Sequence, residues 1–216
     1  MLHKSWIRLA LALLIGIGLM VGAATVYAKT QIVQNTKTFL FTNPDGSFVD
    51  GFPTIQGSSV NLRRTADGVS IKVNTKDLPP GEYTNWWVIF DNPGACGADG
   101  CDDGGFGNMA VDAAVFLAAG GSVGQNGKGK FNADLAKGVL PIGDGQEKVV
   151  FGGPLDNPLS AEIHYVIRYH GPFESEDLLQ TSTLGGGCTP GSTAPNSGPP
   201  GEFECYDPQA AINPAP

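Results

Sequence analysis

The sequence predicts an all-β protein: a mostly antiparallel β-sandwich followed by an irregular Gly/Pro-rich C-terminal tail. Three observations lead there. Past residue 28, apolar residues recur in short runs with a period of two, the spacing of a strand with one buried face. The chain carries 31 glycines and 16 prolines in 216 residues, which suits many short strands joined by tight turns. One run, Tyr83 to Phe90, is apolar on both faces, as a central strand covered on both sides must be.

The N-terminus, "MLHKSWIRLALALLIGIGLMVGAATVYAKT", reads as a secretory signal. Lys4 and Arg8 supply a basic start, Leu9–Val21 is uncharged and apolar, and Val26-Tyr27-Ala28 offers a cleavage site after Ala28. The apolar run is shorter than the roughly 20 residues of a spanning helix. The expected organisation is a signal peptide over 1–28, a β-sandwich domain over 29–184 and a disulfide-tethered tail over 185–216. Loss of Lys4 and Arg8 takes the formal charge from −8 to −10. With no basic cluster beyond Arg63-Arg64, so acidic a chain is not expected to bind nucleic acid. No membrane association is expected after cleavage.

Taken in order, "QIVQNTKTFLF" reads as an edge strand, and "TNPDGSF" as a turn built on Pro44, Asp45 and Gly46. "SVNLRRTADGVSIKVNT" is the clearest hairpin: Val60 and Leu62 alternate with polar residues, Ala66-Asp67-Gly68 turns, and Val69, Ile71 and Val73 alternate again. Pro79-Pro80-Gly81 then leads into the central strand, where Trp86, Val88 and Phe90 face one way and Trp87 and Ile89 the other. Met109–Ala119 reads as a strand despite its alanines. Phe131, Ala133 and Leu135 mark the inward face of the next strand. A Gly/Pro-rich connection over 138–154 holds one apolar piece, "KVVF". The last clear strand lies in "LSAEIHYVIRYHGP", with Ala161, Ile163, Tyr165, Ile167 and Tyr169 on its apolar face. From Gly185 the composition gives no material for a core.

Four cysteines in an exported chain read as two disulfides. Neighbour pairing, Cys96–Cys101 and Cys188–Cys205, closes short loops and is expected. The crossed pairings, which tie the tail to the acidic loop, are the alternatives.

"LPPGEYTNWWVIFDNPGAC", "AEIHYVIRYHGP" and the terminal cysteine pair resemble an uncharacterised family of secreted bacterial proteins. The shared pattern is Pro-Gly-x-Tyr-Thr-x-Trp-Trp, a Cys loop, an Ile-His-x-Val-Ile-Arg strand and two late cysteines, over roughly residues 78–210. The resemblance carries no activity across. More distantly, the strand-turn-strand from Asp67 and the His-bearing strand are similar to the CHRD class of extracellular β-sandwich domains. That class places two histidines on alternate residues, whereas here His170 follows His164 by six positions.

Several residue sets are candidates for function. Glu162, His164, Arg168 and His170 share one strand face by the two-residue period. The ordinary state of such a face is solvated or partly covered, with Glu162 or His164 beside Arg168. Some 20 Å of strand separates the two histidines, so one metal ion does not take both. Around the Cys loop, Asp91, Asp99, Asp102 and Asp103 are candidate calcium ligands, although a regular Asp-x-Asp-x-Asp-Gly spacing is missing. Zinc and redox roles for Cys96 and Cys101 are disfavoured by export and by their four-residue spacing. Trp86, Trp87 and Tyr83 form a candidate aromatic binding surface, since both tryptophans cannot face one core. "GGSVG" at 120–124 matches a nucleophile elbow in letters only, because no helix pattern follows it.

The expected function is a secreted, non-catalytic module that binds an extracellular protein, glycan or matrix component. No nucleophile, base and oxyanion donor assemble in the sequence, and calcium is the one cofactor the acidic loop leaves as a candidate. The alternatives are a metal-dependent enzyme or metal-binding protein using the Glu162–His170 face, and a structural component of the cell envelope.

Overall fold

The computed structural model describes residues 30–97, 100–141, 149–172, 188 and 204–216. The expected signal segment over 1–28 lies outside the described residues, as do Asp99 and most of the tail before residue 204.

Among the described residues, ten strands follow in chain order: β1 (Gln31–Thr36), β2 (Phe39–Leu40), β3 (Ser59–Thr65), β4 (Gly68–Thr75), β5 (Gly81–Phe90), β6 (Ala113–Val123), β7 (Gly129–Ala136), β8 (Val149–Phe151), β9 (Glu162–Tyr169) and β10 (Tyr206–Asn213). They make two antiparallel sheets. One has four strands in the order β1-β3-β4-β7, the other six in the order β2-β10-β9-β5-β6-β8. A 3-10 turn (Pro93–Ala95) and the short helix α1 (Asp103–Phe106) interrupt the β5–β6 connection.

The sheets pack face to face because each supplies an apolar row. Val60, Leu62, Val69, Ile71, Val73, Phe131, Ala133 and Leu135 line the smaller sheet. Tyr83, Trp87, Ile89, Phe116, Ile163, Tyr165 and Ile167 answer from the larger one. Trp87 meets Tyr165 edge to face at 5.4 Å between ring centroids. The β3–β4 hairpin runs in unbroken register from Ser59↔Asn74 to Thr65↔Gly68, as its alternation predicts. Every residue of β5 is buried, between β6 on one side and β9 on the other.

Two elements differ from expectation. The strand read over Met109–Ala119 begins four residues later, at Ala113. Asp112 takes a left-handed backbone conformation (φ 53°), which no strand continues through, and Met109 lies in the exposed turn before it. β6 then runs on through Gly120-Gly121-Ser122 to Val123, where Ser122 pairs with Glu82, so all of "GGSVG" but its last glycine is strand.

The second difference is larger. Residues 206–213, assigned to an irregular tail, form a strand inside the six-stranded sheet, between β2 and β9. Pro208 conceals it in the sequence, since proline lacks the N–H a ladder needs. The sheet accommodates it with a register shift between Tyr206 and Gln209. The Pro208 carbonyl still accepts from Phe41 N–H at 3.0 Å.

Arg64 ties these pieces together. It is the third inward residue of β3 after Val60 and Leu62, and its side chain is fully buried. Nη1 donates to the carbonyls of Pro158 and Ala161 (3.1 and 2.8 Å), Nη2 to those of Asn213 and Pro214 (3.3 and 3.4 Å), and Nε to Gln34 Oε1 (2.7 Å). Burial pulls its pKa down to about 10, which leaves it charged at neutral pH. Replacing Arg64 by Met keeps the apolar stem and strands five acceptors. Urea unfolding of Arg64→Met is expected to show a loss of about 2–4 kcal/mol, and an unchanged midpoint contradicts this role.

Candidate functional site

The outward face of the six-stranded sheet is apolar at its centre. Strand alternation sends Trp86, Val88 and Phe90 of β5 to the side opposite Trp87 and Ile89. The register sets Trp86 beside Val166, Val88 beside His164 and Phe90 beside Glu162. Val115 of β6 and Ile212 of β10 extend this floor to either side.

Among the described residues, no third sheet covers the floor. Phenylalanines wall it instead. Phe39 and Phe41, in and just after β2, with Phe48 and Phe52 of the following turn, form a cluster of mutually tilted or edge-on rings 5.3–6.1 Å apart. Across the cleft, Phe106 of α1 stacks at a tilt on Phe90 (5.5 Å) and meets Phe151 of β8 edge-on (5.4 Å). Gly105 lets α1 lie this low, because a Cβ there would come within 3.0 Å of the Phe90 ring. Between the walls is an open cleft of about 520 Å³, with Trp86, Val88, Phe90 and Val166 at its base. Phe48 is 55% exposed at the rim and Phe52 46%. Phe52 also holds a left-handed backbone (φ 43°), a strained state for an aromatic residue.

Polar groups enter the cleft as two internal pairs. Glu162 Oε1 lies 2.7 Å from His164 Nε2 and also accepts the Cys101 backbone N–H at 3.2 Å. Arg168 forks onto both carboxylate oxygens of Asp207, with Nε to Oδ1 at 2.7 Å and Nη2 to Oδ2 at 2.8 Å. Asp207 N–H donates to Thr42 Oγ1, which returns a bond to the Asp207 carbonyl. The phenylalanine segment is thereby pinned to β10.

The expected polar face is therefore divided. Glu162 and His164 meet each other, while Arg168 pairs with an aspartate of β10, not with Glu162 or His164. His170 sits beyond the end of β9 with no exposure, its Nε2 2.6 Å from Thr84 Oγ1 and its Nδ1 3.6 and 3.8 Å from the sulfurs of Cys188 and Cys205. Both disulfides follow the neighbour pairing, Cys96–Cys101 and Cys188–Cys205. Among the described residues, the one group of three His, Cys, Asp or Glu donors close enough for a metal is His170, Cys188 and Cys205, and both of its sulfurs are in a disulfide.

The aromatic surface needs correction. Tyr83 and Trp87 point into the sandwich core, because their positions on β5 face the smaller sheet. Trp86 alone of the three belongs to the cleft, its indole N–H donating to Thr84 Oγ1 at 2.7 Å.

The loop aspartates go separate ways. Asp91 is buried, and its two oxygens accept the backbone N–H groups of Asp156 and Asn157 (3.0 and 2.7 Å). Burial raises its pKa, with the charges of Asp112 and Asp156 adding to the rise and the two backbone bonds opposing it. Asp102 accepts from Gly104 N–H as the N-cap of α1. Asp99 and the side chain of Asp103 lie outside the described residues. The cleft walls were not anticipated. Four phenylalanines in the fourteen residues 39–52, around a polar turn, were the signal available.

Comparison with protein families, curated proteins and solved structures finds no match to this chain. Two disulfides are formed, and among the described residues no helix is long and apolar enough to cross a membrane.

Burial acts to raise the Glu162 pKa, but the hydrogen bond and charge of His164 and the Cys101 N–H outweigh it and leave the value below 4.5. A carboxylate depressed in the folded state adds stability above its unfolded pKa and loses it as pH falls through the folded one. Thermal melts from pH 7 to pH 3 are thus expected to drop more steeply for wild type than for Glu162→Gln. Parallel curves contradict the pairing.

Proposed function

We propose that this chain is a secreted, non-catalytic binding module whose ligand site is the phenylalanine-walled cleft on the outer face of the larger sheet. One observation carries the reading: an open cleft of about 520 Å³ lies over Trp86, Val88 and Phe90, between walls of phenylalanine. Ligand sites have this size and this balance of many apolar and few polar groups. Exposed apolar rims of this kind mark interaction surfaces.

The occupant is an apolar group. Phenylalanine offers no hydrogen bond to a sugar hydroxyl, so a glycan suits the walls less well than a hydrocarbon or aromatic group. The strained backbone at Phe52 supports the same reading, since it holds a large apolar side chain at the rim at a cost to stability. The non-catalytic character rests on the lining: no hydroxyl side chain or free thiol among the described lining residues stands beside His164. Export is supported by the signal-like segment over 1–28 and by the two disulfides.

A neutral fluorescent dye, N-phenyl-1-naphthylamine, tests the cleft. Saturable binding at one dye per chain is expected. Phe52→Gly removes one wall, so it is expected to weaken dye affinity roughly fivefold or more. Dye binding that is absent, or unaffected by Phe52→Gly and Phe41→Ser, overturns the reading.

A further inference from the structure

His164 offers an unengaged hydrogen-bonding atom in a largely apolar site. Its Nε2 faces Glu162 Oε1 at 2.7 Å, and its Nδ1 has no partner among the described residues. The ring lies at the cleft floor, edge-on to Phe90 at 5.1 Å. The other charged residues in the lining are occupied elsewhere: Arg168 and Asp207 hold each other, and Asp102 caps α1.

Geometry decides what that atom offers. Glu162 Oε1 already accepts the Cys101 N–H, and a carboxylate has only acceptors to give. The short contact to His164 therefore needs its proton on Nε2, and the bond made by one ring nitrogen sets the state of the other. When the ring carries that one proton alone, Nδ1 is a lone pair on a residue that lines the cleft.

Resting on the cleft reading above, we infer that the ligand is an apolar ring or chain carrying one hydroxyl, whose O–H donates to His164 Nδ1. A plain hydrocarbon of the same shape leaves Nδ1 buried without a partner, which costs affinity. An ether or ester oxygen in that position meets another lone pair and gains nothing. Glu162 and Cys101 act as positioning residues: they fix the tautomer and do not touch the ligand.

Three naphthalenes of similar shape, applied to the full protein at pH 7.5, separate the outcomes. 2-Naphthol can donate, 2-methoxynaphthalene can only accept, and 2-methylnaphthalene does neither. Wild type is expected to bind 2-naphthol about three- to tenfold more tightly than either of the others. His164→Phe is expected to erase or invert that preference while still binding 2-methylnaphthalene. Because His164→Phe leaves Glu162 unpaired and can impair folding, a wild-type measurement stands beside it. The imidazole nitrogen NMR signals of His164 are expected to show a protonated Nε2, and an Nδ1 signal that moves with 2-naphthol but not with 2-methylnaphthalene. Equal affinity for the three compounds, or an Nδ1 signal indifferent to 2-naphthol, overturns the hydroxyl inference and leaves the cleft intact. Failure of all three to bind overturns both.

Discussion

The structure turns on a strand that is apolar on both sides. "YTNWWVIF" puts a tryptophan on each face of β5, and a strand has only two faces. Burying Trp87 against the smaller sheet therefore commits Trp86, Val88 and Phe90 to the far side. Among the described residues, the two sheets themselves do not cover that side. The chain answers with three separate pieces: the phenylalanine segment after β2, the Cys loop with α1, and β8. They bury most of the floor, where Trp86 and Phe90 are 2% and 1% exposed, and leave a cleft between them. The cleft is thus a consequence of the same residues that hold the sheet in place.

The Cys96–Cys101 staple acquires a structural meaning in that setting. Its loop is neither a thiol site nor a simple turn. It brings the Cys101 N–H to Glu162, and Glu162 in turn fixes His164 at the cleft floor. The staple also restrains the approach to α1, whose Phe106 stands as one wall. A disulfide limits the conformations open to a loop, and here the restraint passes through one backbone N–H to the polar part of the site.

The fold was largely legible because it follows from alternation. The β3–β4 hairpin, the inward face of β7 and the doubly covered β5 all obey the two-residue period closely enough to be read. What escaped involves long-range pairing or concealed periodicity. β10 carries Pro208 and follows a tract too rich in glycine and proline for a core, yet its partners β2 and β9 supply the missing order. Arg64 sits on an apolar face of β3, and nothing local shows that five acceptors from distant segments converge there. The candidate site was legible in fragments. Glu162 and His164 share one face by the two-residue period, but the partner of Arg168 comes from β10, whose strand Pro208 conceals. Tyr83 and Trp87 were grouped with Trp86 by residue type, whereas alternation on β5 separates them. The phenylalanines at 39–52 follow no period, and only the folded chain brings their rings together at the edge of the cleft.

Indole N–H resonances distinguish the two faces of β5 most directly. In a spectrum of the folded protein titrated with N-phenyl-1-naphthylamine, the account predicts that the Trp86 indole signal shifts in saturable fashion while that of Trp87, sealed in the sandwich core, stays in place. Movement of the Trp87 signal with Trp86 unmoved, or no movement at either as the dye binds, contradicts the account.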